Sequence, residues 1–325
     1  MPAYNAEEYI QESIMSILEQ TYQNIELIII NDNSIDSTLK IIHAINDRRI
    51  KVINNENNMG QSISMNIGLE IAKGTFIARQ DADDISDGNR LFYQVRYLEK
   101  NPKCILLGTN AIMCNENARE IGRTKLIDDC KFLKWQLLYS NKFVHSSIMI
   151  RKNVLLKHNL RYSKLIYSQD YEFWNKISKY GCINILDDYL VKLRKHNKSK
   201  SSKSHIDKYQ NPYVISHNAI TSLIYVPGSN KYMHRKLMLN PTSLSARRAI
   251  SVYYDFFKIF QKIIKTRNSC CQENEKLFNW IIDFFINRIK ITVYCSLRLT
   301  YHLTFLTGLS LYIKYLDKIA IKRKQ

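Results

Sequence analysis

The chain has 325 residues, of which 45% are hydrophobic, with only 9 glycines and 5 prolines. This composition excludes collagen-like and disordered chains, and the length suits one large α/β domain with an appendage. The net charge is +19, and residues 201–325 carry 20 lysines and arginines against 6 acids. That basic segment favours anionic partners such as phospholipid head groups or polyphosphates, although a lysine-rich solvated surface would have the same composition.

Branched apolar runs alternate with amphipathic segments along the first 80 residues. Residues 7–20 have helical spacing of isoleucines, and residues 25–30 are an apolar run typical of a buried parallel strand. The alternation predicts parallel βαβ units, and therefore an α/β fold with a Rossmann-like, mostly parallel sheet flanked by helices. The further predicted elements here are helices at 37–46 and 60–72 and strands at 50–54 and 75–79.

The pattern continues less regularly to residue 200 and then changes composition. Residues 195–208 are rich in lysine and serine and are predicted to be a linker, and residues 211–325 are interpreted as helices. We therefore expect one domain over 1–200 and a basic, mostly helical region of unknown role over 201–325. The other predicted elements are helices at 90–100 and 170–180 and strands at 105–113, 143–150, 183–186 and 189–193.

Targeting and redox signals are weak. The start MPAYNAEEYI lacks the basic and apolar regions of a signal peptide, and Leu299–Ile313 is shorter than the roughly 20 apolar residues of a membrane span. The 7 cysteines contain no Cys-x-x-Cys pair, which argues against a zinc or redox site, and we expect all of them to be reduced thiols in a cytosolic setting.

Acidic residues follow two of the predicted strands. Asp81-Ala82-Asp83-Asp84 comes after the strand at 75–79, and Asp32 comes after the strand at 25–30. Ligands of parallel sheets bind at the carboxyl ends of strands, where paired carboxylates suit Mg²⁺ or Mn²⁺. A solvated acidic turn or an Asx cap remains the alternative for each. Asp170, at a predicted helix start, is either a general base or an N-cap.

Several ordered motifs join these acids, and together they make residues 1–200 resemble glycosyltransferase family 2, the inverting enzymes with the GT-A fold. No single motif is specific, but their order and spacing are. They are Pro2-Ala3-Tyr4-Asn5, Asn31-Asp32-Asn33-Ser34 with Asp36-Ser37, Asn58 to Gly60, Asn66-Ile67-Gly68, Asp81-Ala82-Asp83-Asp84, Asn89-Arg90-Leu91 and Gln169-Asp170.

The resemblance implies a role for each of five residues. Tyr4 would line the nucleobase and Asp32 would bind it, the base commonly being uracil. Asp81 would contact the ribose region, and Asp83 would be the principal ligand of Mn²⁺ or Mg²⁺. Asp170 would be the general base that activates an acceptor hydroxyl.

Three further residues are weaker candidates. Asn5 belongs to the Pro-x-Tyr-Asn turn, His145 falls near the expected acceptor side, and His196 falls near the expected donor-phosphate side. Both histidines fit packing or surface positions equally well.

The resemblance implies transfer of a sugar from a nucleotide-diphosphate donor, commonly a UDP-sugar, to a hydroxyl of a glycan or lipid-linked acceptor, with inversion. The expected reduced thiols predict a cytoplasmic location, and the basic region suggests peripheral contact with an anionic membrane. Nucleic acid is not expected as a partner because only charge supports it. A nucleotidyltransferase would need a glycine-rich phosphate loop near the N-terminus, which the sequence lacks.

One departure from the family pattern sustains an alternative. Family members usually have an apolar strand before the Pro-x-Tyr-Asn turn, whereas this sequence reaches that turn at Met1-Pro2. We therefore expect the first strand to be absent, and a catalytically impaired, glycosyltransferase-like binding protein is the alternative function.

Overall fold

The structure is a computed structural model that describes residues 1–125, 129–199, 206–223 and 255. The chain divides into two compact units, Met1–Ser216 and His217–Gln325. The predicted helices beyond residue 223, and the Leu299–Ile313 segment, lie outside the described residues. Within the described part, no helix combines the length and the apolar character needed to span a bilayer.

Strands and helices alternate through the first unit as the sequence predicts. The strands are β1 (Pro2–Ala3), β2 (Leu27–Asn31), β3 (Ile50–Asn54), β4 (Phe76–Ala78), β5 (Ile85–Ser86), β6 (Cys104–Cys114), β7 (Glu120–Arg123), β8 (Met149–Arg151) and β9 (Cys182–Arg194). The helices are α1 (Ile10–Leu18), α2 (Thr38–Ala44), α3 (Gln61–Ile71), α4 (Arg90–Lys100), α5 (Cys130–Leu137), α6 (Lys152–Lys157), α7 (Gln169–Ile177) and α8 (Ile206–Thr221).

The strands form a parallel part and a mixed part. β1, β2 and β3 pair in that order, all parallel. The second part has the order β4-β8-β6-β9-β5, with β7 also on β6. There β6 and β9 are parallel, and the other pairs are antiparallel. The chain has the α/β architecture expected, with antiparallel pairs that the alternation did not predict.

The expected absence of the first strand is wrong. Pro2 pairs with Ile30 and Ala3 with Asn31, so a short parallel strand lies beside β2. The backbone bonds from Ile30 N to Met1 O, 2.9 Å, and from Asp32 N to Ala3 O, 2.8 Å, continue this ladder. Two residues suffice because the neighbouring strand supplies the hydrogen-bonding partners, which a search for apolar runs does not detect.

The packing of α1 on β2 fixes the edge at which the site forms. Ile10 and Ile14 are fully buried on α1, and all five residues of β2 are buried. Burying an isoleucine side chain contributes about 1.5–3 kcal/mol. This apolar layer therefore fixes the strand ends from which the candidate site residues extend.

Several details differ from the sequence-based predictions. The strand predicted at 143–150 is a 3₁₀ turn (His145–Ser147) followed by β8, and the strands predicted at 183–186 and 189–193 are the single strand β9. The linker predicted at 195–208 ends inside α8. Cys130 and Cys182 form a disulfide with a Cα–Cα distance of 5.6 Å, so the expectation of free thiols throughout is wrong for this pair.

Candidate active site

Two strand ends and the start of α3 meet at one edge of the first unit. Asp32 directly follows β2, and Asp81 lies three residues beyond β4. The Asp32 carboxylate accepts hydrogen bonds from the backbone N–H of Gly60, at 2.8 Å, and Asp81 accepts one from Gln61 Nε2, at 3.2 Å. Both strand-end acids thus bond to residues at the start of one helix, Gly60 at its N-cap and Gln61 in its first turn.

Asp81, Asp83 and Asp84 form an acidic cluster, in which each contributes a carboxylate oxygen and all three oxygens lie within 4.8 Å of one another. Asp84 is 1% exposed, whereas Asp81 and Asp83 are half-buried. Like charges this close repel strongly in a medium of low dielectric constant. The cluster therefore needs compensating cations or donors.

Asp81 is the most heavily compensated of the three. Its Oδ1 pairs with the Arg79 guanidinium, and its Oδ2 accepts from Ser146 Oγ at 3.0 Å. Burial raises the pKa of Asp81, but the charges of Arg79 and His145 outweigh burial, so its pKa lies below the usual range. Asp81 is thus an ionised carboxylate held in a fixed orientation.

Asp84 is a structural acid of the cluster. Its Oδ1 accepts from the Arg194 backbone N–H at 2.8 Å, and its Oδ2 contacts the Ser146 hydroxyl. Burial and then the charges of Asp83 and Asp81 raise the pKa of Asp84 well above the usual range. Ser146 has one hydroxyl proton for two carboxylates, so it donates to only one of them at a time.

Asp83 has the most available carboxylate. Among the described residues its side-chain partner is His196, whose Nε2 lies 2.9 Å from Asp83 Oδ2. Burial and then the charge of Asp81 raise the pKa of Asp83, while His196 opposes the change. The His196 side chain is 7% exposed, and its ring lies 4.9 Å from the ring of Tyr9.

Arg90 holds the backbone segment between β4 and the acidic cluster. It is fully buried and donates to Gln80 Oε1 at 2.9 Å, to Ser86 Oγ at 2.8 Å and to the carbonyl of Arg79 at 2.7 Å. Burial lowers the pKa of Arg90 to about 9. The arginine of the Asn-Arg-Leu motif therefore fixes the backbone segment that carries the three acids of the cluster.

Asp32 organises the loop that leads into α3. Its Oδ1 accepts from Asn55 Nδ2 at 2.7 Å and from the Met59 backbone N–H at 2.9 Å, in addition to the bond from Gly60 to Oδ2. Gly60 has a φ of +85°, in a region that side chains rarely adopt. A carboxylate accepts about four hydrogen bonds, so Asp32 keeps one position available.

Tyr4 and Asn5 lie beside Asp32 on the turn after β1. Tyr4 is 47% exposed. Asn5 links this turn to the next one, since its backbone N–H donates to Ser34 Oγ and its Oδ1 accepts from the Ile35 N–H, both at 3.0 Å. Asn5 therefore holds the two turns together, and Tyr4 presents its ring to solvent next to them.

Asp170 lies in the first turn of α7, as the second helical residue. Its Oδ2 accepts from Asn141 Nδ2 at 2.6 Å. Burial raises its pKa, and backbone hydrogen bonds and the charge of Arg79 oppose the rise. The neighbouring Gln169 donates from Nε2 to Gln61 Oε1 at 2.9 Å, which connects Asp170's helix to the start of α3.

His145 lies apart from the Asp83–His196 pair, in an aromatic setting. Its Nε2 is 3.2 Å from the Tyr162 hydroxyl, and its ring packs edge-on against Trp174 with 5.7 Å between centroids. Its charge nevertheless reaches Asp81 and lowers that pKa.

Sequence reasoning missed five residues that hold the site. Most of them lack a local signal, because their partners are distant in the sequence: Arg194 donates from Nε to the Asp83 carbonyl, 111 residues away, at 2.9 Å. Arg79 is the exception, since its partner Asp81 lies two residues further on. Only a residue's type hinted at a role, since a fully buried serine or arginine needs polar partners. The five are Gln61, Arg79, Asn141, Ser146 and Arg194.

Comparison with known proteins identifies the family of the chain. The family profile described as Glycosyl transferase family 2 matches residues 1–160. An uncharacterized glycosyltransferase of Haemophilus influenzae is 36% identical over 234 residues, which are 67% of this chain and 71% of the relative. The O-antigen biosynthesis glycosyltransferase WbnJ of Escherichia coli is 35% identical over 65% of this chain and 83% of its own length.

Solved structures share the fold. The crystal structure of Staphylococcus aureus TarS 1–349 in complex with UDP-GlcNAc has a TM-score of 0.59 at 19% identity and covers 81% of this chain and 80% of that one. The mannosyltransferase PcManGT of Pyrobaculum calidifontis in complex with GDP-Man and Mn²⁺ has a TM-score of 0.52 at 13% identity and covers 95% and 84%.

The α/β fold, with acids at its strand ends, is that of a GT-A glycosyltransferase. The 36% identity to the Haemophilus influenzae relative, over 71% of that relative, shows more than a shared fold. The chain belongs to glycosyltransferase family 2, and it is a transferase enzyme.

Proposed function

We propose that this glycosyltransferase moves a sugar from a UDP-sugar to a hydroxyl group of a glycan or lipid-linked acceptor, with inversion and with the help of Mn²⁺ or Mg²⁺. The observation that carries the proposal is the meeting of Asp32, Asp81 and the helix of Asp170 at the start of α3. The names of similar proteins support the substrates: the E. coli relative WfgD, 33% identical over 58% of this chain and 74% of its own length, is a UDP-Glc:α-D-GlcNAc-diphosphoundecaprenol β-1,3-glucosyltransferase.

The residues of the acidic cluster fit a divalent cation. Three carboxylates within 4.8 Å give hard oxygen ligands, and two of them have a pKa raised by burial and mutual repulsion, which a cation would relieve. We assign Asp83 as the principal ligand because His196 is its only side-chain partner among the described residues. His196 would then lie beside the donor's diphosphate. A bound cation would neutralise the charge that develops on the leaving diphosphate.

The donor's nucleoside would lie at the two turns next to Asp32. Tyr4 offers an exposed aromatic ring for the base, Asn5 fixes its turn, and the remaining acceptor position on Asp32 suits a ring N–H such as that of uracil. Asp81, already oriented by Arg79 and Ser146, is the candidate for the ribose.

Asp170 would act on the acceptor. Its carboxylate, oriented by Asn141, would take the proton of the acceptor hydroxyl as the oxygen attacks the anomeric carbon. The raised pKa of Asp170 brings its basicity closer to the working pH. Attack on the face opposite the diphosphate breaks the sugar–phosphate bond, releases UDP and inverts the anomeric carbon. His145 is a candidate contact on this acceptor side.

We further propose that residues 1–200 are the catalytic domain and that the basic residues 201–325 support peripheral contact with an anionic membrane. Their 20 lysines and arginines against 6 acids provide the charge, and lipid-linked acceptors would require such contact. A cytoplasmic enzyme working at the membrane surface is consistent with both.

The test is a donor panel measured by nucleotide release with Mn²⁺, Mg²⁺ or EDTA. Wild type is compared with Asp83→Ala, Asp170→Asn and the control Asp188→Asn, an exposed carboxylate. We expect one UDP-sugar to be used, activity to need a cation, both site variants to lose it and the control to keep it. The anomeric configuration of the product, read by NMR, tests inversion.

Turnover by the wild type together with full activity of both site variants would overturn the residue assignments. Donor binding without any turnover on a broad acceptor panel would instead favour the impaired binding protein.

A further inference from the structure

Two glutamines connect the donor-side acids to the helix of Asp170. Gln169, the first residue of α7, donates from Nε2 to Gln61 Oε1 at 2.9 Å, and Gln61, the first residue of α3, donates from Nε2 to Asp81 Oδ1 at 3.2 Å. Gln169 is 5% exposed. The chain Gln169–Gln61–Asp81 therefore crosses the site along partly or fully buried groups.

The direction of this chain follows from its charged end. Asp81 pairs with Arg79, and an ionised carboxylate only accepts hydrogen bonds. Gln61 must therefore turn its NH₂ group toward Asp81 and its carbonyl oxygen toward Gln169. Gln169 in turn must present a donor, so position 169 requires an N–H or O–H group.

The start of α7 depends on such side-chain contacts. Ser168 precedes it with a φ of +63° and makes no side-chain cap hydrogen bond. The preceding segment is bonded to α3, since Ser62 Oγ donates to the Leu165 carbonyl at 3.2 Å and Asn66 Nδ2 to the Tyr162 carbonyl at 2.9 Å. Gln61 is the last of these contacts and lies nearest to Asp170.

We propose that Gln61 and Gln169 are positioning residues that couple the donor-side carboxylate Asp81 to the placement of the base Asp170. The inference rests on the proposed function, because it takes Asp170 as the base. Donor contacts at Asp32 and Asp81 bear on the start of α3, and the two amides carry that restraint to the first turn of α7. Neither glutamine touches the reacting atoms.

The decisive variant is Gln169→Glu, which keeps the size and shape of the side chain but replaces its donor with acceptors. Its carboxylate would face the carbonyl oxygen of Gln61, so two acceptors would meet without a donor. If the Gln61 amide flipped, its carbonyl oxygen would instead face the Asp81 carboxylate, which also only accepts. We expect kcat to fall about tenfold, while the affinity for UDP changes less than twofold. The isosteric apolar variant Gln169→Met loses the donor without adding repulsion, so we expect about a threefold fall.

The compensating variant Gln61→Lys/Gln169→Glu tests the direction. A lysine at 61 offers three donors and no acceptor, so it can serve both Asp81 and Glu at 169. We expect its kcat to return to within about threefold of wild type. The exposed Gln11→Glu on α1 is the matched control for the charge change and should be silent.

A pH series adds a signature that packing alone would not give. A protonated glutamic acid at 169 regains an O–H donor, so the ratio of Gln169→Glu to wild-type kcat should rise as the pH falls. The ratio is read at pH values above the acid limbs of both proteins, because a carboxylate at 169 also raises the pKa of the neighbouring Asp170 in the variant. The other charged groups around this position are Arg79 and Asp81, whose charges act on Asp170, and Glu172, which lies in the same helical turn.

The outcomes separate the two hypotheses. An inactive wild type would refute the proposed function itself. An active wild type with Gln169→Glu at or above Gln169→Met, or with no rescue by the double variant, would refute the coupling alone. If Gln169→Glu does not fold, as judged by circular dichroism, a Gln169→Met variant with unchanged kcat would refute it equally.

Discussion

Replacing Asp32 by asparagine should destabilise the first unit through the loop that enters α3. The amide oxygen can keep the bonds to Asn55 and Met59, at 2.7 and 2.9 Å, but the NH₂ group then faces the Gly60 N–H. One charge-assisted bond, worth about 1.5–3 kcal/mol, is lost, and two others each weaken by about 1 kcal/mol as the acceptor becomes neutral.

Relief of the buried charge offsets part of this loss, because Asp32 is 4% exposed. We therefore expect a net fall of about 3 kcal/mol in the free energy of unfolding. For a unit of this size, that corresponds to roughly 6–12 °C in Tm.

The assay is thermal unfolding of the full chain, followed by tryptophan fluorescence, to which Trp135 and Trp174, both buried in the first unit, contribute. The exposed Asp188→Asn is the control and should leave Tm unchanged. A Tm within about 1–2 °C of wild type for Asp32→Asn would refute the reasoning, since it would mean that the loop does not need the carboxylate.

Three further predictions concern activity. In the profile of kcat against pH, the acid limb should lie above the ordinary aspartate pKa of about 3.9. The reason is that burial raises the pKa of Asp170 and only its deprotonated form accepts a proton. A limb at or below that value would argue against this role of Asp170. Asp170→Asn should lower kcat by about 10²–10⁴-fold and remove that limb, and survival of the limb would assign it to another group. Ser146→Ala, which leaves Asp81 and Asp84 without a shared donor, should lower kcat/KM about tenfold and raise the Mn²⁺ concentration needed for half activity; unchanged Mn²⁺ dependence in a titration would count against its bridging role.

The parts of the fold that the sequence predicts are those with local causes. The run Leu27–Asn31 is all buried, and the isoleucines of α1 repeat at helical spacing. The local order of apolar residues is therefore enough to predict both elements. β5 has two residues, Ile85 and Ser86, and exists because β9 pairs with it. Nothing within such a short segment distinguishes it from a turn.

The site divides in the same way. The sequence places Asp32 and Asp81 at strand ends, but β2 belongs to the parallel part of the fold and β4 pairs antiparallel with β8 in the other part. The hydrogen bonds that occupy their carboxylate oxygens could not be predicted. The donors are backbone N–H groups and Ser146, and sequence spacing does not indicate which donors a carboxylate will contact. For the same reason, the sequence did not predict the hydrogen bond between Gln61 and Gln169.

The long strand β9 has a consequence for the order in which the chain is made. It ends in Arg194, whose backbone holds Asp84 and whose guanidinium holds the carbonyl of Asp83, with His196 two residues on. A ribosome adding about 5–20 residues per second needs roughly 6–22 s to cover the 111 residues from Asp83 to Arg194. During that interval the nascent N-terminal half carries its crowded acids without these partners, so the candidate site is among the last features of the first unit to form.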